Sequence, residues 1–289
     1  SIGIQSSGGV GKVLAEWIRD RRIPVDLLDV DVQRMQPFQA TRRYLYDRTK
    51  ESLGLLYAMH WPYRQFATAR GARRSPFHDR LIAAGAVMGE VAGWERPNWF
   101  ALPGMERAYR YSFGAQNWFP AVKAECEAVR DRVALFDQSS FAKFLVEGRD
   151  ACRVLNWICA NDVDVPEGRI VYTPWLDSRG GIQADLTVTR LREEAYLIVT
   201  AAAWHTRDLT WLRRQIPNEA RVWVTDITSG LPTLGLMGPN SRALLEKLTG
   251  EQLSNDTFPF GTSRLLEIGY AEVRVSRITY VGELGYELY

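Results

Sequence analysis

The sequence predicts an α+β fold built from helices and hairpin-forming strands. From residue 121 onward, apolar residues recur at helical spacing in some segments and alternate in others. Several strand-like runs follow one another with only a turn between them, which is typical of hairpins and not of a parallel, doubly wound sheet. Because 289 residues exceed one typical domain, we expect two or more packed units.

Composition and charge exclude several classes of protein. The chain is 46% hydrophobic and 24% charged, and its net charge of +2 is spread along its length, so no basic arm for nucleic acid is present. No apolar run reaches the roughly 18 to 20 residues of a membrane-spanning helix, and no segment resembles a signal peptide. We therefore expect no membrane partner, and a cytoplasmic location or an organellar one after processing. The oligomeric state is left open.

Cysteines and histidines indicate neither a disulfide framework nor a metal site. The cysteines are odd in number and form no CxxC pair, so we expect buried free thiols at Cys126, Cys152 and Cys159. The histidines share no metal-ligand spacing, and we interpret them as capping or packing residues.

The first 34 residues contain a glycine-rich segment, SSGGVG, at 6–11. It predicts a turn that leads directly into a helix at 12–19. The free N–H groups and dipole at such a helix start suit a phosphate or an electron-rich ring carbonyl, although the glycines could instead serve close helix packing. Residues 25–32 alternate as a short strand or extended arm.

The next segments predict helices at 42–60 and 81–91. The arginine-rich stretch between them, 70–80, could meet an acidic substrate, or it could be a solvated face or an interdomain contact. Residues 93–104 combine glycine and proline with large aromatic residues. We interpret them as an ordered connector packed against a domain, because a flexible linker would not carry two tryptophans.

The remaining elements alternate along the chain. Helices are predicted at 121–133, 148–160, 202–215 and 241–248. Strands are predicted at 141–146, 170–175, 182–190, 195–200, 222–226, 234–237 and 270–278, and residues 280–289 end inside a further strand-like run.

The stretch 179–190, RGGIQADLTVTR, is the most informative of the sequence. A glycine turn precedes a strand whose apolar residues, Ile182, Ala184, Leu186 and Val188, share one face. Asp185 falls on the opposite face with Gln183 and Thr187. Aspartate is disfavoured inside strands because its short carboxylate bonds local backbone. Either Asp185 holds a ligand, or this face is simply wet.

The chain resembles the flavin-linked relatives of the glycine-cleavage aminomethyltransferase, the dimethylglycine dehydrogenase, sarcosine dehydrogenase and dimethylglycine oxidase group. The resemblance covers essentially the whole chain and rests on five motifs in order: GIQSSGGVGKVLAEWI, GWERPNWF, VALFDQSSFAKFLVEG, GGIQADLTV and TYVGELGYELY. It implies a fragment of a longer protein. Residues 1–34 would end an FAD-dependent oxidoreductase module, 35–92 would form its central domain, and 93–289 a truncated, folate-binding aminomethyltransferase-like module.

The resemblance also implies roles for individual residues. Asp185 would lie against the reactive nitrogens of tetrahydrofolate as the catalytic carboxylate, with Thr187 as a second folate contact. Tyr280 and Glu287 match an aromatic and a carboxylate of the folate site. Residues that would approach the FAD are Gly3, Ile4, Gln5, Ser6, Ser7, Gly8 and Gly9.

The implied function is that of an FAD-dependent N-methyl amine dehydrogenase or oxidase that passes the oxidised methyl group, through an imine, to tetrahydrofolate. Free-standing aminomethyltransferases commonly have two adjacent acids where this chain has Ala184 and Asp185, so the departure matches the flavin-linked branch. We expect no oxidation by the fragment alone. Two alternatives stay open: a non-catalytic protein resembling the regulatory subunit of pyruvate dehydrogenase phosphatase, and a stand-alone aminomethyltransferase.

Overall fold

The computed structural model of the chain describes residues 3–21, 23–27 and 30–289. Its first element is helix α1, Gly3–Asp20, which has no buried side chain. The predicted turn before a helix is therefore wrong, since the glycine-rich segment is itself helical. Each glycine disfavours a helix by about 1 kcal/mol relative to alanine, but it keeps its backbone N–H, so the helical hydrogen bonds continue through the segment.

The segment after α1 contains short 3₁₀ turns in place of a strand. Positions 28 and 29 of the strand or arm predicted at 25–32 lie outside the described residues, and the described ones form no strand. Short 3₁₀ helices follow at Val32–Arg34 and Pro37–Ala40, and helix α2 spans Arg42–Leu55. The helix predicted at 42–60 is thus confirmed over its first four turns.

A three-stranded sheet comes next, with strand order β1-β3-β2. Its elements are β1 (Arg73–Arg74), helix α3 (His78–Ala83), β2 (Ala86–Val91) and β3 (Trp94–Phe100). The helix predicted at 81–91 is wrong, because Gly85 reverses the chain at φ +98° and β2 follows. The predicted connector is strand β3, paired antiparallel with β2. Its expected packing is confirmed, since Trp99 is buried against Val87 and Ala121.

Several residues of the arginine-rich segment at 70–80 pack against other parts of the chain, so the segment is more than a solvated face. Arg70 forms an ion pair with the buried Glu95, with Nε 2.7 Å from the carboxylate. Arg73 lies over the ring of Trp94 at 4.3 Å. The hydroxyl of Ser75 donates a hydrogen bond to Asp137, far along the sequence.

Two five-stranded sheets and four helices form the remainder. The strands are β4 (Ala134–Asp137), β5 (Ala142–Glu147), β6 (Ile170–Leu176), β7 (Ile182–Arg192), β8 (Ala195–Thr200), β9 (Trp223–Asp226), β10 (Leu234–Met237), β11 (Ser263–Ile268), β12 (Ala271–Ser276) and β13 (Gly285–Leu288). The helices are α4 (Phe119–Asp131), α5 (Ala151–Ile158), α6 (His205–Gln215) and α7 (Ser241–Thr249). The predicted elements from residue 121 are confirmed within a few residues, while β4 and β11 are new.

The first of these sheets, called the β7 sheet here, has the order β6-β7-β8-β5-β9 with antiparallel pairing throughout. One face packs against α5 and α6. Ala184, Leu186 and Val188 point into this core, as the alternation predicts, whereas Ile182 at the start of the strand is 69% exposed. The core therefore covers only the apolar face of β7.

The second sheet, called the β13 sheet here, has the order β11-β12-β13-β10-β4. Its core contains Leu245 of α7 and Tyr286 of β13, together with Phe258 and Leu266. Tyr286 is on the core side, so Glu287 projects from the other face of the strand. Each sheet thus has its own apolar core and leaves one face without helices from that core.

The two sheets are joined along one edge. The backbone N–H of Ser263 donates to the carbonyl of Gly168 at 2.7 Å, and that of Ile170 donates to Gly261 at 2.8 Å. These bonds connect the start of β6 with the start of β11. Within the described ranges, no helix is long and apolar enough to cross a membrane.

The cysteines differ from the expectation of three buried thiols. Cys159 is buried, and burial raises its pKa to about 11. Cys152 is half-buried and Cys126 is exposed, because it lies on the outer side of α4. None forms a disulfide.

Candidate functional site

A row of polar side chains crosses the face of the β7 sheet that α5 and α6 leave uncovered. Thr187 in β7 pairs with Tyr172 in β6 on one side and with Val199 in β8 on the other. Val199 in turn pairs with Lys143 in β5. Directly paired residues of antiparallel strands project from the same face. The register therefore brings Tyr172, Thr187 and Lys143 to one face, which is also the face of Asp185.

Asp185 lies in the centre of β7, opposite Pro174. Its side chain is exposed, while Thr187, two residues on, is 6% exposed. Interaction with this carboxylate raises the pKa of Tyr172, on the neighbouring strand. The structure thus places an accessible carboxylate next to a phenol, and the predicted pair of Asp185 and Thr187 on one face is confirmed.

Glu287 supplies a second carboxylate, from the β13 sheet. It pairs with Gly235 in β10 and Ser276 in β12, and it is 5% exposed. Burial raises its pKa, while the Tyr289 hydroxyl, which donates a hydrogen bond to Oε2, and the charge of Lys143 act in the opposite direction. The β13 sheet therefore contributes a buried acid, held by a neighbouring hydroxyl, to the space between the sheets.

Tyr280 lies in the loop before β13, near both carboxylates. Its ring stacks on that of Phe141, with centroids 5.8 Å apart. Loss of solvent around the hydroxyl, reinforced by the negative charges of Glu287 and Asp185, raises the pKa of Tyr280 to about 12. The phenol therefore remains a neutral hydrogen-bond donor at physiological pH. Asp185, Thr187, Tyr280 and Glu287, predicted from separate motifs, are thus brought to one region.

Lys143 is a residue of this site that the sequence interpretation missed. Its side chain is fully buried, and Nζ donates to the carbonyl of Ser139 at 3.0 Å and to Oγ1 of Thr233 at 3.2 Å. No carboxylate oxygen of the described residues lies within ion-pair distance. Burial lowers the pKa of Lys143 to about 8, although nearby carboxylates, Glu287 among them, pull it upward. A lysine inside the apolar run Ala142–Val146 was the available signal.

A second group of buried polar residues, on α6, contacts the start of β7 and the end of β9. Arg207 donates to Oε1 of Gln183 at 3.0 Å and to Asp208 at 3.1 Å. Nε2 of His205 lies 2.7 Å from Asp226, and its ring stacks on Phe144, which confirms a packing role for this histidine. These contacts fix the start of β7 and hence the position of Asp185.

The structure does not bring Gly3–Gly9 to this site. The segment is part of α1, and a Cβ atom added at Gly3, Gly8 or Gly9 would meet nothing within 4 Å. Nothing within the described residues requires glycine there. Contact between this segment and a flavin stays a proposal.

The arrangement can bind a flat, nitrogen-rich ligand that carries a partial positive charge. Glu287 accepts one hydrogen bond from Tyr289 at Oε2, which leaves Oε1 for an outside N–H donor. Tyr280 and Phe141 offer stacked aromatic faces, and Asp185 offers an open anion. The donor set contains no soft or imidazole ligand, and among the residues that the structure describes there is no cluster suited to a metal ion.

Comparisons with known proteins place this geometry in a family. Residues 77–289 match the GCVT N-terminal domain, and residues 22–75 match the FAD dependent oxidoreductase central domain. The aminomethyltransferase of the glycine cleavage system from Bartonella henselae has a similar structure, with a TM-score of 0.61 and 25% identity. The similarity covers 75% of this chain and 53% of that one. The α+β fold with an aminomethyltransferase-like module is thus confirmed.

Three relatives align over all or nearly all of the chain. The 4-methylaminobutanoate oxidase (formaldehyde-forming) of Paenarthrobacter nicotinovorans is 44% identical, over 100% of this chain and 35% of that protein. The human mitochondrial dimethylglycine dehydrogenase is 36% identical, over 99% of this chain and 33% of that protein. The mouse mitochondrial pyruvate dehydrogenase phosphatase regulatory subunit is 32% identical, over 100% of this chain and 34% of that protein. The chain thus spans about a third of the length of these relatives. It belongs to the GCVT, or glycine-cleavage T-protein-like, family, in the branch that carries an FAD dependent oxidoreductase central domain.

Proposed function

We propose that the chain is the folate-binding part of an FAD-dependent N-methyl amine dehydrogenase or oxidase, which passes the oxidised methyl carbon to tetrahydrofolate. The observation that carries the proposal is that Asp185 and Glu287, from two different sheets, both lie close enough to Tyr280 for their charges to raise its pKa. Two acids and an aromatic ring match the polar edge, the flat ring and the partial positive charge that such a ligand presents.

Glu287 is the residue that would recognise the aminopyrimidine edge of the folate. A carboxylate accepts two parallel N–H bonds from such an edge, and it does so most strongly when shielded from water. Its burial and its bond from Tyr289 hold the acid in one orientation. The stacked rings of Tyr280 and Phe141 would position the pterin plane, and Thr187 would supply a hydroxyl beside Asp185.

Asp185 would act on the charge that develops at the one-carbon unit. Tetrahydrofolate, when bound, supplies the nitrogens that accept this unit, and the transfer places positive charge close to them. A fixed carboxylate stabilises that charge. Because Asp185 is exposed, the exclusion of water that strengthens its effect would have to come from the bound ligand itself.

The flavin part of the proposal concerns the start of the chain. FAD would take up the electrons of amine oxidation, held mainly by a module outside this sequence, and residues Gly3–Gly9 would approach it. We propose the division 1–34, 35–92 and 93–289 for the end of that module, the central domain and the folate-binding module. The last boundary falls in the turn between β2 and β3.

A regulatory role is the second candidate, because one relative aligned over the whole chain is named a phosphatase regulatory subunit. The site argues for the enzyme, since a purely regulatory protein has no need for an exposed carboxylate and a buried one around the same ring. The name of another relative states that formaldehyde is formed. That product is expected wherever an oxidised N-methyl group hydrolyses without capture by folate.

The experiment that tests the proposal uses the flavin-containing protein to which the chain belongs. We expect the purified protein to show a flavin spectrum that bleaches on addition of sarcosine, dimethylglycine or 4-methylaminobutanoate under anaerobic conditions. With tetrahydrofolate present, methylenetetrahydrofolate should form at the expense of formaldehyde. Both products are measured in the same samples.

The 289-residue chain alone is the control, and we expect it to be colourless and to reduce no dye with any of these amines. If the flavin bleaches but the yield of formaldehyde is the same with and without tetrahydrofolate, amine oxidation is retained and the folate role is contradicted. Absence of flavin from the complete protein would contradict the enzyme and leave the regulatory candidate.

A further inference from the structure

A polar cavity lies where the three-stranded sheet meets loops of the two larger sheets. Its volume is about 240 Å³, which is ample for a small anion. The residues that the argument uses are Arg73, Arg74, Trp94, Ser139, Thr228 and Ser229. The first two come from β1, and the hydroxyl residues come from the loops after β4 and β9.

Arg73 carries the positive charge of this cavity without a matching carboxylate. The guanidinium is half-buried over the ring of Trp94, and among the described residues no acid lies within ion-pair distance of it. Its hydrogen bonds are long: 3.5 Å to Oε1 of Gln36 and 3.4 Å to Oγ of Ser229. A guanidinium has five N–H donors in a planar fork that suits two oxygens of an anion, so most of this capacity is unused.

Other donors around Arg73 are also in excess. The hydroxyl of Ser229 accepts from Arg73 and retains its own proton for donation. Arg74, exposed at the rim, adds a second cation. Within the described residues, the guanidinium of Arg73 is held by two long hydrogen bonds only, so an acceptor from outside would complete this set of donors.

The charges near the cavity decide which anion fits. The negative charge of Asp226 raises the pKa of Arg73, against the lowering caused by burial. The carboxylate of Asp226 already forms hydrogen bonds with His205 and Thr228. Asp137, held by Ser75 and Ser139, lies near Lys143 behind the cavity. These acids repel an incoming anion, and they repel a phosphate of charge near −2 more than a carboxylate of charge −1.

We propose that this cavity is a binding site for a small monocarboxylate, held by the fork of Arg73 with Ser229 and Arg74 beside it. The site is separate from the one around Asp185, and the inference does not depend on the proposed function. It requires neither flavin nor folate.

The test measures the melting temperature of the 289-residue chain as acetate replaces chloride at constant ionic strength and pH. A ligand that binds only the folded state raises the melting temperature with concentration, and the dependence yields its dissociation constant. For a molecule as small as acetate we expect a constant of about millimolar order. Arg73→Gln should weaken binding at least about tenfold, since it removes the charge and the fork, and Ser229→Ala should weaken it by a smaller factor.

Arg130→Gln is the matched control, because it removes the same charge from the exposed face of α4, and it should bind acetate as the unaltered chain does. If Arg73→Gln does not fold, Arg73→Lys, which keeps the charge but loses the fork, serves in its place and should also bind more weakly. No acetate effect on the unaltered chain, or equal binding by the Arg73 variant, would overturn the proposal. Tighter binding of inorganic phosphate than of acetate would overturn the assignment to a carboxylate.

Discussion

Asp185→Asn in the flavin-containing protein is expected to slow one-carbon transfer to tetrahydrofolate by roughly 10² while amine oxidation continues. The substitution keeps the size of the side chain and removes the charge that would stabilise the transferred carbon, and losses of this order follow removal of one preorganised electrostatic contact. An oxidised N-methyl group that is not captured hydrolyses, so formaldehyde should replace methylenetetrahydrofolate. Amine consumption and both products are followed together.

The matched control is Glu193→Gln, which removes one negative charge from the exposed turn between β7 and β8. It should leave transfer unchanged. If Asp185→Asn yields methylenetetrahydrofolate at the original rate, the polar face of β7 at Asp185 is only a wet surface. If amine oxidation falls equally, the substitution has disturbed the protein beyond this site.

Lys143→Met is expected to change how stability depends on pH. The folded-state pKa of Lys143 is about 8, against an ordinary value of 10.5. Between these two values the unfolded chain binds more protons than the folded one, so the free energy of unfolding rises with pH through this window. Well below pH 8 the buried ammonium is fully charged, and its burial destabilises the fold by about 3 kcal/mol relative to pH well above 10.5.

The measurement compares urea unfolding of the chain and of Lys143→Met at several pH values between 7 and 11. From about pH 8 upward, the free energy of unfolding of the unaltered chain should rise relative to that of the variant. Taking the difference removes the titration of tyrosines, which both proteins share. Lys123→Met, on the exposed side of α4, is the control and should follow the unaltered chain. Parallel curves for Lys143→Met would show that its pKa is ordinary.

The face on which Asp185 and Thr187 lie could be predicted from the sequence, because the alternation of side chains along a strand is a local property. The alternation of β7 assigned Asp185 and Thr187 to one face, and the structure agrees. The resemblance supplied Tyr280 and Glu287, which lie about a hundred residues from Asp185. That these residues meet depends on how two separate sheets face one another, and no local pattern contains that information.

The errors also have physical causes. Residues 81–91 are a short, largely apolar run with two glycines inside it, and periodicity alone does not distinguish a buried strand from a helix at that length. The aromatic segment read as a connector is a strand because pairing with β2 satisfies its backbone. Lys143 was overlooked because a lysine is normally exposed, and its burial depends on acceptors at Ser139 and Thr233 that only the fold brings near.

The two sheets have their apolar cores on their outer sides, and their polar faces are turned toward one another. This arrangement has a consequence for how related sequences diverge. Replacing Asp185 or Tyr280 would remove a proposed ligand contact but no side chain from either core. Selection on folding and selection on chemistry therefore act on largely separate sets of positions. A duplicated gene could lose the acids proposed to act in catalysis one at a time while the scaffold persists, and the freed surface would then be available for control of another protein.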